Sequence, residues 1–258
     1  MAQPFEDWYK NLPIVTKLYM TGCVVTTIGV YLELVHPLQL YLNFPLITKR
    51  YEVWRLVTNF LFYDHIGLNF LFHMYFLVRH SRLLEEGSFR GRSGDYLFMW
   101  IFGASLLLII NAILFYSKLY TSSILFLAPS MAFMVVYVWS KRNPNIHISF
   151  LRLFTFSAPF LPWVILTIGY LFHHSLANDI LGIVVGHIYY YLEDVYPTVS
   201  NRRLLKTPSI LKSLFDNNNH ALDPDQQRHA PVANWAQPEQ QQQQDQQQQE
   251  QEPVAVNE

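Results

Sequence analysis

His65 and Asn69 have types and spacing that could do chemistry: four residues apart in a helix, they share one face at about 6 Å. Two hydrogen-bond donors so placed could hold an oxyanion or each other, and plain polar packing is the alternative. Trp54 and Arg55 close a segment from His36 to Val53 that is rich in Leu, Tyr and Phe. Both residue types favour the headgroup level of a bilayer, so the pair predicts an anchor for an interfacial segment. Gly182 and Gly186 form a GxxxG in an apolar run, which lets a second helix backbone come close and predicts packing. Cys23 is the single cysteine, so no intramolecular disulfide is available and the compartment is not legible from cystines.

The elements that must position these residues follow from the distribution of polarity. The chain of 258 residues is 51% hydrophobic, yet its mean hydropathy is only +0.13, so a very apolar part coexists with a very polar one. Long apolar runs extend from Val15 to Leu192, and glutamine dominates beyond Asp216. Helices of about 17 to 25 apolar residues cross a bilayer, which predicts six spans near 15–35, 56–78, 96–115, 122–139, 151–172 and 177–193. Basic residues stay cytosolic. Lys10, Lys17, Arg79, Arg82, Arg90, Arg92, Lys141, Arg142, Arg202, Arg203, Lys206 and Lys212 then face the cytosol, against Lys49, Arg50, Arg55 and Lys118 opposite, with both ends cytosolic.

This divides the chain into a cytosolic segment at 1–14, a membrane domain at 15–200, a juxtamembrane amphipathic segment at 201–215 and an acidic, Gln-rich tail at 216–258. The first segment carries Glu6, Asp7 and Lys10 and no small-residue cleavage signature, predicting an uncleaved first span. The juxtamembrane segment places Ile210, Leu211, Leu214 and Phe215 beside Lys206 and Lys212, as in a short helix lying on a membrane. The tail cannot bury a core and is predicted to be disordered, a solvated extension or a partner-binding one. Its acidity excludes nucleic acid as an implied partner.

Several spans are poor membrane helices. The second holds Asn59, Asp64, His65, Asn69 and His73, the fifth holds Pro159 and Pro162, and the sixth is apolar only from Ile180 to Leu192. Two readings stay open: polar groups bonded inside a bundle, or a protein that lowers the barrier for moving polar chain through lipid.

Taken in order, Trp54-Arg55, His65-xxx-Asn69, Leu84-Glu85-Glu86-Gly87-Ser88-Phe89-Arg90-Gly91-Arg92 and Gly182-xxx-Gly186 resemble rhomboids. The finer resemblance is to Derlins. It rests on Tyr137-Val138-Trp139-Ser140-Lys141-Arg142-Asn143-Pro144, Ala158-Pro159-Phe160-Leu161-Pro162-Trp163, Leu181 to Tyr189 with Leu192-Glu193-Asp194-Val195, and Leu205 to Lys212, and covers about Pro4 to Asp216.

That resemblance implies an all-α integral membrane fold, a six-span rhomboid-like bundle with a disordered cytosolic C-terminal tail. Active rhomboids use a serine at the start of span 4 and a histidine three residues before the first glycine of span 6. Ser130 falls roughly at the former position, but Asp179 stands at the latter, and a carboxylate of ordinary acidity is a poor proton acceptor for serine. His187 lies eight residues further on, about 12 Å along the helix and rotated by about 80°. The resemblance therefore implies a pseudoprotease without cofactor or metal, in which His65, Asn69, Ser130 and Asp179 are relics, while Trp54, Arg55, Gly182 and Gly186 are functional but not catalytic.

It further implies residence in the endoplasmic reticulum membrane and a part in moving misfolded client proteins to the cytosol for ubiquitination and proteasomal degradation. The implied partners are a membrane ubiquitin ligase complex, other Derlins, the lipid bilayer and the AAA ATPase valosin-containing protein. For the last, the tail offers only Asn234-Trp235-Ala236-Gln237-Pro238 where many Derlins carry an aromatic residue followed by glycines and a leucine. An active serine protease using Ser130 and a scaffold within a ligase complex are the alternative readings.

Overall fold

The computed structural model describes residues 3–117, 124–150, 154–171, 176–200, 202 and 204–215. The expected tail, with Trp235 and the glutamine run, lies outside them. In chain order the helices are α1 Gln3–Lys10, α2 Ile14–Tyr31, α3 Pro37–Leu40, α4 Phe44–Arg50, α5 Arg55–Thr58, α6 Leu68–Leu83, α7 Ser93–Tyr116 and α8 Ala128–Arg142. An antiparallel hairpin follows, β1 His147–Phe150 with β2 Phe154–Ser157, pairing His147 with Ser157 and Phe150 with Phe154. Then come α9 Leu161–Leu171, α10 Leu176–Tyr190, α11 Tyr196–Ser200 and α12 Ser209–Phe215. Among the described residues α2 and α7 are long and apolar enough to cross a membrane.

α8 is the axle of the bundle. Every side chain from Ser130 to Ser140 is buried, and α6, α7, α9 and α10 all pack against it. The outer helices instead expose apolar stripes: Leu18, Val25 and Ile28 on α2, Ile101, Ile109 and Ile113 on α7, Trp163 and Tyr170 on α9. Such faces suit a lipid solvent, in which apolar exposure costs nothing.

Three expected spans differ from the observed elements. Span 2 is interrupted: α5 stops at Thr58, and α6 starts only at Leu68, after Gly67 in a fully extended conformation. Asn59 explains the interruption. Its carbonyl accepts the Leu127 N–H at 3.1 Å instead of a helical partner, and Asp64 Oδ1 turns back to its neighbour's N–H at 2.7 Å. Non-helical backbone at membrane depth is tolerated where protein covers it, and Asn59, Phe60, Phe62 and Tyr63 are all buried. His65 therefore lies outside the helix that contains Asn69, and the expected shared face does not exist.

Span 5 was expected from residue 151, but strands occupy His147–Phe150 and Phe154–Ser157, and the helix begins at Leu161 after a 3₁₀ turn at Ala158–Phe160. Pro159 and Pro162 fall at the starts of these turns, where a missing N–H is harmless. Span 4 enters its helix at Ala128. The residues just before it form no regular element, the Leu125 carbonyl receiving the Leu42 N–H and the Ile124 carbonyl the Asn111 side-chain amide.

One buried carboxylate ties three helices together. α2 begins after Pro13 without a side-chain cap of its own. Glu85, 69 and 70 residues away in sequence, accepts the N–H groups of Val15 at 3.1 Å and Thr16 at 2.9 Å and the Thr16 hydroxyl at 2.8 Å. Because that hydroxyl proton is committed to Glu85, Ser81 must donate to Thr16 and Tyr96 to Ser81, at 2.8 and 2.6 Å. The chain of hydrogen bonds joins α7, α6 and the N-terminus of α2, where a carboxylate also suits the helix dipole. We expect Glu85→Ala to cost on the order of 2 kcal/mol, since it strands buried donors. Thermal melts in detergent check this, with Glu86→Ala, which removes only a half-exposed pair with Arg82, as the nearly neutral control.

Candidate functional site

The seam between α8 and α10 holds Ser130, Asp179, Gly182 and Gly186, half of the site residues singled out from the sequence. The two helices run parallel. Gly182 faces Ser130 and Phe133, Gly186 faces Met134 and Tyr137, His187 reaches Tyr137, and Asp194 reaches Arg142. A Cβ added at Gly182 would run into the Ser130 carbonyl oxygen and stand 2.7 Å from Phe133 Cβ. At Gly186 it would stand 3.0 Å from Tyr137 Cβ and 3.2 Å from the Met134 carbonyl oxygen. The first glycine is thus required by a backbone, the second by contacts with slightly more room. Gly103 plays a like part on α7, pressed against the flexible Met134 side chain.

Ser130 sits at this seam in the first turn of α8, fully buried, and its Oγ has no hydrogen-bond partner among the described residues. Asp179 is one helical turn before Gly182 and is also buried. His187 Nδ1 is 2.7 Å from the Tyr137 hydroxyl, two turns of α8 beyond Ser130. Its ring is engaged there, edge-on to Tyr137. His65 is far more open, with its side chain 72% exposed and its hydrogen bonds made to its neighbour Asp64. The side chain of Asn69 lies outside the described residues.

At the far end of the seam, Arg142 donates from Nε to Asp194 at 3.0 Å while its guanidinium lies 4.6 Å from the Phe89 ring centroid. Here α10 gives way to a π-helical turn at Tyr191–Val195 that carries Asp194. Sequence reasoning missed the Arg142–Asp194 and Tyr137–His187 pairs, whose partners are 52 and 50 residues apart. The nearest available signal was a near-constant offset: Gly182, Gly186 and Asp194 follow Ser130, Met134 and Arg142 by 52 residues each, and His187 follows Tyr137 by 50.

Trp54 and Arg55 divide the role expected of them. Trp54 is half-exposed and fits an interfacial anchor. Arg55 is buried: its Nη1 donates to the carbonyls of Leu38 and Tyr41 at 2.9 and 3.0 Å, its Nε to Glu52 at 2.6 Å, and its guanidinium lies 5.0 Å from the Tyr41 ring. It closes the loop that carries α3 and α4, whose own starts are capped by His36 and Asn43.

Two outcomes follow. Gly182→Ala should lose about 1–3 kcal/mol, the usual cost of overpacking, and Gly186→Ala less. Arg55→Ala should destabilise by about 2 kcal/mol through stranded carbonyls, whereas Trp54→Ala melts as the parent does. Detergent thermal shifts on the four variants check both orders.

Comparison with known proteins agrees with this arrangement. The model of the Der1-like family matches residues 12–209, which include all of the seam and the Arg55 loop. The chain is 75% identical over 216 residues to a protein named probable derlin-2 homolog in Dictyostelium discoideum, covering 84% of this chain and 85% of that one. It is 52% identical over 222 residues to Derlin-2.2 of Zea mays, covering 85% and 89%, and 39% identical over 208 residues to Derlin-1.1 of Zea mays, covering 81% and 83%. With a family match over most of its length and relatives this similar, the chain belongs to the Der1-like family, the Derlins.

Proposed function

We propose that this Derlin is a non-catalytic part of the machinery of endoplasmic reticulum-associated degradation, moving misfolded proteins from lumen or membrane to the cytosol. The observation that carries the reading is the sealed seam. Ser130 is buried under Gly182 with no base on its hydroxyl among the described residues, and His187 is spent on Tyr137. A serine nucleophile needs a base within hydrogen-bond reach and a substrate carbonyl beside it. What the site supplies instead is rigid helix packing.

Translocation is supported by the parts of the bundle that are poor membrane solvent. The non-helical stretch at 59–67, exposed from His65 to Gly67, puts polar backbone where a bilayer has none. Such elements let lipid thin locally and offer hydrogen-bond partners to a passing polypeptide.

In this reading the fold is a six-span bundle with both ends cytosolic. The parallel course of α8 and α10 supports that topology, since spans 4 and 6 then cross in the same direction. Trp54, Arg55, Gly182 and Gly186 sustain function, and His65, Asn69, Ser130 and Asp179 mark positions of lost protease chemistry. The partners are a membrane ubiquitin ligase complex, other Derlins, valosin-containing protein, misfolded clients and the bilayer.

Client turnover tests the reading. Ser130→Ala should leave degradation of a misfolded client at the parental rate, and Gly182→Leu should slow it while lowering the melting temperature. A cleavage product present with the parent and absent with Ser130→Ala would establish a protease instead. Protease protection on sealed microsomes tests the orientation, which a tail shielded from added protease would refute.

A further inference from the structure

Apolar and basic side chains converge at α12, away from the seam. This helix packs on α7, with Leu211 and Phe215 half-buried and Leu205 against the main core. Lys212 Nζ lies 3.5 Å from the carboxylate of Asp95 in the first turn of α7. The contact holds α12 at the end of a 24-residue apolar helix, which is the depth of a bilayer's headgroups if α7 crosses.

The outward face of α12 is unlike an aqueous surface. Ile210 and Leu214 are 68% and 69% exposed and, four residues apart, form one stripe. Around them Arg202 and Lys206 are exposed and the Lys212 side chain is 48% exposed. Between Arg202 and Phe215 the sequence has four basic residues and no Asp or Glu. An apolar stripe flanked by cations alone complements a surface that is apolar beneath and anionic on top, and an anionic leaflet has that order of layers.

We infer that α12 and the basic stretch before it form a docking surface for anionic phospholipid headgroups of the cytosolic leaflet. Ile210 and Leu214 enter the acyl boundary while Arg202, Lys206 and Lys212 meet the headgroup phosphates and carboxylates. The inference rests on the cytosolic placement of residues after α10 proposed above, but not on client transport. Because Lys212 also contacts Asp95, lipid charge is linked to the seating of α12 on α7 and to the start of the tail beyond it.

The test uses the full chain with Ile210→Cys carrying a polarity-sensitive fluorophore, the native Cys23 being buried. The protein is placed in nanodiscs of phosphatidylcholine alone or with phosphatidylserine. With phosphatidylserine the emission should move to the blue and be quenched by spin-labelled lipid, and both effects should fade as salt is raised. Arg202→Gln with Lys206→Gln should lower the docked-to-undocked ratio roughly thirtyfold, at about 1 kcal/mol per basic residue near an anionic surface. Those surface changes should leave the melting temperature unaltered.

Equal quenching in both kinds of disc, or quenching indifferent to the two glutamines, would overturn headgroup recognition. A label that stays in water, or one shielded from aqueous iodide yet unreached by the lipid quencher, would overturn lipid as the occupant. The second of these would mark a protein cover. None of these readings involves client turnover, so failure here leaves the transport proposal standing. A label at position 210 on the lumenal face of sealed vesicles would instead refute the topology on which both rest.

Discussion

The close approach of α8 and α10 is the constraint on which the rest of the bundle depends. Without a hydrophobic force between helices in lipid, association rests on dispersion contacts and hydrogen bonds, both of which need short distances. Gly182 allows such distances by presenting no side chain to the Ser130 carbonyl. Once the two helices are seated, Tyr137 and His187, then Arg142 and Asp194, fall into register further along the same seam. The surrounding helices α6, α7 and α9 complete the cover of α8.

Several irregular segments among the described residues are secured by long-range hydrogen bonds to backbone. Arg55 gathers the carbonyls of Leu38 and Tyr41, Glu85 caps α2, Asn111 holds Ile124, and Asn59 shares its carbonyl with Leu127. Each removes an orphan peptide group from a place where water is scarce, at which an unmade bond costs more than a made one gains. This accounts for Arg55, Glu85 and Asn111 at three of these places, while at Asn59 the main chain itself makes the bond. It also explains how an interrupted second span coexists with a stable core.

The same packing that stabilises the seam encloses the Ser130 hydroxyl. A hydroxyl nucleophile must be exposed to a substrate carbonyl and to a base, whereas Ser130 is enclosed and the histidine of α10 is turned to a tyrosine. Ser130 and Gly182 instead serve the packing of the Derlin bundle. The bundle's remaining features are shape and polarity: short helices, a break between Thr58 and Leu68, and an α12 with an exposed apolar stripe.

The sequence by itself was enough to identify a helical membrane protein of the Derlin kind and the helix-packing role of its paired glycines, because apolar length, basic flanks and GxxxG are local patterns. The starts of α2, α7 and α10 lie within a few residues of their expected positions for the same reason. Only the tertiary structure decided that the expected span 2 breaks at Asn59, since the donor that takes the Asn59 carbonyl, the Leu127 N–H, comes from 68 residues away. The same holds for His65, which left the face of Asn69 once Gly67 extended, and for the paired strands His147–Phe150 and Phe154–Ser157, hidden in a run of aromatic and aliphatic residues that suits helix and strand alike. Arg55 looked like an interfacial anchor beside Trp54, and burial among distant carbonyls made it a brace. Local periodicity encodes which face of a helix is apolar, but which polar group answers which orphaned peptide is settled only when remote segments meet.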